Sequence, residues 1–398
     1  MRGATRDAGV ARRAGIDWLY DPYWRGVVFQ LALVIVLLAI GYEIVANVAA
    51  NLKKQNVASG FDFLGRTSGF DISQKLISYE NTSSFGRAFW VGLLNTLLVA
   101  GIGIVLATVL GFVIGLGRLS PNWLIARLSL AYVEIVRNVP LLLQLLFWYF
   151  AALRSLPMPL DSHEIGAGAY INRRGLYLPA AVEGVARETL LVAALAGIAL
   201  ALCLLVIARR QRLEHGETFD AGRYGLAIVF LLPLAAYFWQ GAPLVFDYPR
   251  LGRYNVEGGL VILPELAALL TGLVVYTAAF IAEIVRAGIV GVPRGQREAA
   301  AALGLSRGQA LRLVVVPQAM RIIVPPLTNQ YLNLTKNSSL AVAIGYPDLV
   351  SVFSGTVLNL SNQAVEVILI TMAVYLALSL STSLVMNALN ARLAPAGR

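Results

Sequence analysis

Long apolar runs separated by short polar segments dominate the pattern of this chain. A helix needs about 20 apolar residues to cross the hydrocarbon core of a bilayer. Three runs approach or exceed that length without a charged residue: Val91–Leu116, Leu190–Ala208 and Val367–Met386. Four more qualify with small interruptions, and a last one is weaker: Gly26–Val48, Val133–Leu153, Gly225–Gly241, Leu260–Ala282 and Ile322–Tyr346. The pattern predicts an all-α polytopic membrane protein with about eight transmembrane helices.

The composition agrees with a membrane protein and removes several other classes. Of the 398 residues, 58% are hydrophobic and only 14% are charged, and the mean hydropathy is +0.70, which is too apolar for a soluble domain. The one cysteine, Cys203, lies inside an apolar run, and the two histidines, His163 and His215, lie in separate loops. The sequence therefore predicts neither an internal disulfide nor a metal site.

The positive charge follows the predicted spans. Eight spans place both termini on one side of the membrane, and with the termini in the cytoplasm most of the 32 lysines and arginines fall in short cytoplasmic segments. This bias predicts cytoplasmic N- and C-termini and explains the net charge of +10 without nucleic-acid binding. The first apolar run is longer than the roughly 7–15 apolar residues of a signal peptide and contains Glu43, so we expect an uncleaved first span.

One polar, basic segment between two predicted spans has the signals of a helix, a stop and a second helix. Pro293 suits a first helical position, and four alanines after Glu298 favour a helix over Arg294–Leu303. Gly304 is a helix stop, Ser306 and Gln309 form a capping box, and Pro317 marks re-entry into the next span. From the pattern alone, one interpretation of this segment is an amphipathic helix that lies on the bilayer surface.

The spacing of this segment resembles the cytoplasmic coupling loop of the permeases of ABC importers. That family pattern is Glu-Ala-Ala, three residues, Gly, nine residues, Ile, one residue, Leu-Pro, with Val314 and Val316 here in place of Ile and Leu. The resemblance implies that residues 289–320, called the coupling loop below, dock on a cytosolic ATPase. The matching positions are Glu298, Ala299, Ala300, Gly304 and Pro317.

Other motifs resemble the polar-amino-acid branch of the same permeases. They are Gly92–Thr96, Tyr132–Gln144, Tyr276–Arg286 and Pro325–Leu340, and Gly69–Ser73 resembles the larger, Q-type permease subunit of general L-amino-acid transporters. The resemblance implies a type I ABC-importer transmembrane core in a bacterial inner membrane. It also implies a second permease subunit, a periplasmic amino-acid-binding protein and a cytosolic ATPase dimer that binds ATP and magnesium. The solutes would be L-amino acids, either broadly or mainly acidic and neutral ones.

The motifs divide the chain into four parts. Residues 1–88 are an extra helix with an outward loop, and residues 89–154 are the first part of the permease core. Residues 155–259 are an insertion with two extra helices, and residues 260–398 are the second part of the core.

Charged and amide side chains within the spans are candidates for contact with solute. The identical tetrapeptides Glu134–Arg137 and Glu283–Arg286 place opposite charges at i and i+3, where they can pair; they either brace the coupling loop or contact solute. Asn329, Asn333 and Lys336 share one helix face. That face, with Asn337 beside it, either lines a pathway for a carboxylate or bridges to another helix, and Pro325 and Pro326 are expected to interrupt the helix. For Asn95 and Thr96 we favour the bridging role.

The absence of a phosphate-binding Gly-x-x-x-x-Gly-Lys-Ser/Thr sequence shows that ATP hydrolysis by that route must come from another subunit. We expect no cofactor in this chain. An ion-gradient-driven secondary transporter is the main alternative, although internal repeats and acidic residues at the centres of the strongest spans, common in such transporters, are missing. No carboxylate pair, histidine cluster or nucleophile motif indicates an enzyme.

Overall fold

The computed structural model describes residues 22–54, 60–182, 185–214, 221–240 and 245–393. The structure does not describe the basic segment 1–21, the C-terminal residues 394–398 or His215. The cytoplasmic position of the two termini therefore stays a prediction. The helices are α1 (Pro22–Lys54), α2 (Phe85–Gly117), α3 (Trp123–Asn138), α4 (Leu141–Leu146), α5 (Val185–Glu214), α6 (Ala221–Gln240), α7 (Pro264–Val290), α8 (Arg294–Ala302), α9 (Arg307–Ala310), α10 (Val316–Asn337), α11 (Leu358–Ser361) and α12 (Ala364–Leu393).

Seven helices of the described chain are long and apolar enough to cross a membrane. They are α1, α2, α5, α6, α7, α12 and a continuous span, Arg307–Ile344, in which α9 and α10 are joined by a π turn. The predicted span Val133–Leu153 is not one straight helix: α3 and the segment Leu141–Ala151 meet at an angle of 105°. Val139 is extended there because Pro140 disfavours a helical conformation for the residue before it.

Helices α2 and α7 pack side by side in the same direction. A Cβ added at Gly111 would lie 2.6 Å from Cβ of Ile281, and one added at Gly115 would lie 2.8 Å from Cβ of Val285. Residue numbers therefore rise together along the two helices. Small residues let helix backbones approach closely in a membrane, and this seam forms the centre of the core.

The parallel packing shows that the bent pair crosses the membrane. The chain leaves α2 at one end of the seam and enters α7 at the other, so it must cross an odd number of times between them. Helices α5 and α6 supply two crossings, and the bent pair supplies the third. It starts beside the end of α2, where Ser129 lies against Gly117, and ends at the start of α7, where the Tyr149 hydroxyl donates to Glu265 at 3.0 Å. The described chain therefore has the eight crossings expected.

Helix α10 returns along α7 and α2 in the opposite direction. Ile323 fills the space beside Gly288, and Leu334 lies against Gly103. Ile281, Ile323 and Leu334 are fully or almost fully buried in one apolar cluster. The end of α7 that carries the coupling loop is called the coupling end below, and the end at Pro264 is called the strand end.

The strand end carries short strands that the all-α prediction did not include. They are β1 (His163–Gly166), β2 (Ala169–Asn172), β3 (Gly175–Leu178), β4 (Ala180–Ala181), β5 (Phe246–Asp247), β6 (Arg250–Leu251), β7 (Val256–Glu257) and β8 (Leu260–Ile262). One antiparallel sheet has the order β1-β2-β3-β8, and β4 pairs with β5. The pairing of β4 with β5 joins the parts of the insertion before α5 and after α6, and the pairing of β3 with β8 joins the insertion to the start of the second core part. Strands of two to four residues are too short to show a clear alternation in the sequence.

At the strand end, a buried side chain of α2 holds the loop between α1 and α2 in place. The Asn95 amide donates to the backbone oxygens of Gln74 and Pro347, at 3.0 and 2.9 Å, and the Thr96 hydroxyl accepts the N–H of Leu349 at 3.0 Å. Both side chains are fully buried, so the structure gives them the bridging role favoured from the sequence. In the same loop, a hydrogen bond from Lys75 lowers the pKa of Asp71.

Candidate functional site

The coupling loop forms a helix, a glycine stop and a second helix. Helix α8 ends in a pair of backbone bonds, Gly304 N–H to Ala301 and Leu305 N–H to Ala300, the arrangement of a Schellman motif. Gly304 has a φ of +74°, which explains why glycine stands there. The capping box of Ser306 and Gln309 is present, with both reciprocal bonds. Two boundaries differ by one residue from the prediction, because Pro293 is the N-cap and Leu303 the C-cap.

Helix α8 is tied to both neighbouring spans. The Arg297 guanidinium donates to the backbone oxygen of Ile289 at 2.9 Å, near the end of α7. The Gln318 amide donates to Gln296 at 3.1 Å, which connects α8 to the start of α10. Ala300 is 2% exposed and faces the chain itself. Helix α8 is therefore connected to α7 and to α10 by one hydrogen bond each, with Ala300 buried against the chain.

The end of α8 exposes a large apolar side chain that was not among the residues predicted from the sequence. Leu303 is 81% exposed at the end of the helix, and Glu298 and Ala299 are also exposed. Within the described residues the Glu298 carboxylate makes no hydrogen bond or ion pair. The signal for Leu303 was present in the sequence, because it is the one large apolar residue between Pro293 and Gly304. Of the motif residues, Ala300 seats the helix, whereas Glu298 and Ala299 face outward.

Pro317 does not separate the second helix of the loop from the next span. Helix α9 continues through a π turn at Leu311–Val315 into α10, with Pro317 in its first turn. Pro325 and Pro326 also lie inside α10 without ending it, so the predicted interruption is wrong. Membrane helices tolerate proline where neighbouring groups satisfy the freed carbonyls.

A charged cluster joins α2 to α7 near the coupling end. The Glu283 carboxylate pairs with the guanidinium of Arg286 at 2.6 Å and also with that of Arg118. The predicted pair at Glu283 and Arg286 is therefore present, and Arg118, at 12% side-chain exposure, is an unpredicted third member. This arrangement ties the end of α2 to the last turns of α7.

The second tetrapeptide behaves differently from the first. In the described part of the chain no ion pair joins Glu134 to Arg137, so that predicted pairing is wrong. The Arg137 guanidinium instead lies over the Phe280 ring, 5.1 Å from its centre, an attractive cation–π arrangement. Both Glu134 and Arg137 are exposed.

The polar residues of α10 separate into two groups. The hydroxyls of Thr335 and Ser338 donate to backbone oxygens one turn earlier, at 2.9 and 2.8 Å, and both residues are buried. Asn329, Asn333 and Lys336 are exposed on one face, and Asn337 is half-buried beside them. Among the described residues these four side chains have no hydrogen-bond partner. We call Asn329, Asn333 and Lys336 the polar face.

Comparison with known proteins identifies relatives over almost the whole chain. Residues 103–396 match the family model described as "Binding-protein-dependent transport system inner membrane component". The general L-amino acid transport system permease protein AapQ of Rhizobium johnstonii is 48% identical over 376 residues, with 94% of each chain covered. The putative amino-acid ABC transporter permease protein YhdX of Escherichia coli is 48% identical over 374 residues, with 94% of this chain and 95% of the relative covered.

A third relative is named for particular amino acids. The glutamate/glutamine/aspartate/asparagine transport system permease protein BztB of Rhodobacter capsulatus is 37% identical, with 94% of each chain covered.

Proposed function

This chain belongs to the family of inner membrane components of binding-protein-dependent transport systems, and from this premise we propose that it is a permease subunit of an ATP-driven importer of L-amino acids. The names of the relatives support amino acids as the solutes, and they include one general transporter and one for acidic amino acids and their amides. The proposed solute range is accordingly broad, or acidic and neutral. Membership of a binding-protein-dependent family also favours this function over an ion-gradient-driven transporter.

The observation that carries the proposal is the exposed outer surface of α8 between two spans. A short helix with an apolar anchor, Leu303, and a free carboxylate, Glu298, suits a groove on a cytosolic ATPase. The ATPase dimer would hold ATP and magnesium, and this chain would receive movement through the bonds of Arg297 and Gln318. The chain itself would act as a transport component and not as the hydrolysing enzyme.

The polar face of α10 supports a second permease subunit. Amide and ammonium groups without hydrogen-bond partners are costly against lipid, yet Asn329, Asn333 and Lys336 are exposed on a spanning helix. A partner subunit that covers this face, with the solute pathway between the two, would satisfy these groups. A periplasmic binding protein and a bacterial inner membrane complete the proposed assembly.

The ATPase contact is tested at the exposed leucine. We expect Leu303→Asp to reduce co-purification of the ATPase with the membrane subunits at least tenfold, because an aspartate in an apolar groove loses its hydration. Leu160→Asp is the matched control, since Leu160 is also an exposed leucine, at 63%, but lies at the strand end. The measurement is the ratio of ATPase to membrane subunits after purification, together with ATP hydrolysis stimulated by the binding protein.

Two results would contradict the proposal. One is full ATPase recovery and stimulation in the Leu303→Asp complex. The other is uptake of amino acids by proteoliposomes that contain the membrane subunits without any ATPase, which would favour an ion-gradient-driven transporter.

A further inference from the structure

A cavity of about 600 Å³ lies at the strand end of the chain, where the insertion meets the permease core. Its walls come from the turn between β2 and β3, the start of α7, the segment after α4 and Gly345 beyond α10. A volume of this size is typical of sites for small molecules. The polar side chains at its wall are those of Ser73, Tyr149, Arg173, Arg174, Tyr177, Asn255 and Glu265.

Two consecutive arginines at the tip of a hairpin give this cavity its charge. Asn172 pairs with Gly175 in the register of β2 and β3, so Arg173 and Arg174 are the two residues of the turn. Neither arginine has a positive φ, and Asn172 and Gly175 flank the turn, as a type I turn favours. The turn geometry therefore does not itself require these two basic side chains.

A buried network holds the hairpin tip in place. Asn172 is fully buried. Its amide donates to Ser162 and to Asn255, at 2.8 and 3.2 Å, and its carbonyl accepts the N–H of Arg174 at 2.7 Å. Gly175 then brings the hairpin against β8, because a Cβ there would lie 2.6 Å from the oxygen of Ile262. The arginines thus project from a fixed support.

The two arginines differ in what their side chains do. The Nε of Arg173 donates to the backbone oxygen of Leu156 at 2.8 Å, which fixes that side chain. The Arg174 guanidinium makes no hydrogen bond or ion pair within the described residues. An arginine held at the wall of a cavity with its donors unused is suited to bind a carboxylate, which accepts two parallel N–H bonds from it.

Glu265, which also lines the cavity, offers a site for a positive group. Glu265 lies in the first turn of α7 and accepts one hydrogen bond from Tyr149, while a carboxylate has capacity for several more. Cation-binding and anion-binding groups on one cavity wall match the ammonium and carboxylate of an amino acid.

We propose that this cavity is an entry site in the permease for the amino acid after its release by the binding protein, with Arg174 binding the carboxylate. This inference rests on the proposed function and adds to it a role for the insertion. Gly345, which lines the cavity, directly follows the span Arg307–Ile344 that carries the polar face, nine residues after Lys336. Solute would pass from Arg174 towards Lys336.

The test uses the complete importer in proteoliposomes, with L-glutamate as the probe and its binding protein outside. We expect Arg174→Gln to lower the rate of uptake about tenfold, the effect of losing one charge-assisted contact. Arg174→Lys keeps the charge and is expected to restore at least half of the uptake. Arg250→Gln is the matched control, because Arg250 is an exposed arginine of the same strand region that does not line the cavity.

The rate of ATP hydrolysis stimulated by the binding protein separates this role from a docking role. The entry site predicts stimulation within twofold of the unchanged complex, since the binding protein still docks. The proposal is overturned if Arg174→Gln leaves uptake unchanged, or if stimulation and uptake fall together, which would make the hairpin a docking surface for the binding protein. Failure of the unchanged complex to import any amino acid with ATP would instead overturn the proposed function and, with it, the entry site.

Discussion

The identical tetrapeptides Glu134–Arg137 and Glu283–Arg286 have different partners in the folded chain. Glu283 contacts two guanidinium groups, of Arg286 and Arg118, whereas Arg137 lies over the Phe280 ring. Arg118 is the more enclosed of the two arginines that pair with Glu283. Without that carboxylate it would lose its ion-pair partner within the described residues and keep a largely buried charge, with only the more distant charge of Glu134 in its favour, which is destabilising.

We therefore expect Glu283→Gln to lower the free energy of unfolding by about 2 kcal/mol, a value for a partly exposed charged pair. Glu134→Gln removes the same charge from the same local sequence and should change it by less than about 0.5 kcal/mol. Thermal unfolding of the two purified variants in detergent measures the difference. Equal losses of stability would show that Arg118 does not depend on Glu283.

The sequence could not distinguish these two sites. The spacing of i and i+3 allowed both pairs, and among the described residues only Glu283 and Arg286 form one. The third member, Arg118, lies 165 positions earlier in the chain, and its approach depends on how α2 packs on α7. Local signals were more informative in the coupling loop, where Gly304, Ser306 and Gln309 act on neighbouring backbone groups. Residues whose role depends on nearby positions were predictable, and those that depend on tertiary contacts were not.

The seam between α2 and α7 depends on glycines that face the partner helix. A Cβ at Gly111 would lie 2.6 Å from Cβ and Cγ2 of Ile281 and 3.0 Å from the backbone oxygen of Ala278. Neither neighbour can move away without shifting a helix in a close-packed interior. Gly101, on the same helix, has nothing within 4 Å of that position.

Alanine substitution should consequently have opposite effects at these two glycines. We expect Gly111→Ala to lower the free energy of unfolding by about 2 kcal/mol through overpacking. Gly101→Ala should leave it unchanged or raise it by up to about 1 kcal/mol, because alanine favours a helix over glycine. Thermal unfolding in detergent is again the measurement. A stable Gly111→Ala protein with unchanged uptake would show that the two helices do not pack as closely as described.

The apolar runs predicted the spanning helices, and proline gave a less consistent signal. Pro140 marks a bend of 105°, whereas Pro325 and Pro326 lie within an unbroken helix. Proline alone therefore does not decide between a bend and a continuous helix, since membrane helices tolerate it where neighbouring groups satisfy the freed carbonyls. The strands of the insertion were missed for another reason: the sheet needs β3 and β8, which are separated by α5 and α6, so no local pattern identifies it.

At the scale of the whole molecule, the parallel packing of α2 and α7 determines how many times the chain crosses the membrane between these two helices. Parallel α2 and α7 require three crossings between them, and the bent pair of α3 and α4 must be one of these. Without it the chain would have seven spans and its termini would lie on opposite sides. The coupling loop and the segment between α2 and α3 would then lie on opposite sides as well, although Arg118 from one and Arg286 near the other bind the same carboxylate.

Cysteine labelling from one side of the membrane tests this topology. In a Cys203→Ser background, Glu164→Cys places a thiol in β1, and Pro121→Cys places one between α2 and α3; both positions are exposed. We expect a membrane-impermeant maleimide to label the Glu164→Cys variant in intact spheroplasts and the Pro121→Cys variant only after permeabilisation. Equal behaviour of the two variants, both labelled from outside or both only after permeabilisation, would mean that the bent pair does not cross. Labelling of the Pro121→Cys variant alone would place α8 outside the cell, where no cytosolic ATPase could reach Leu303.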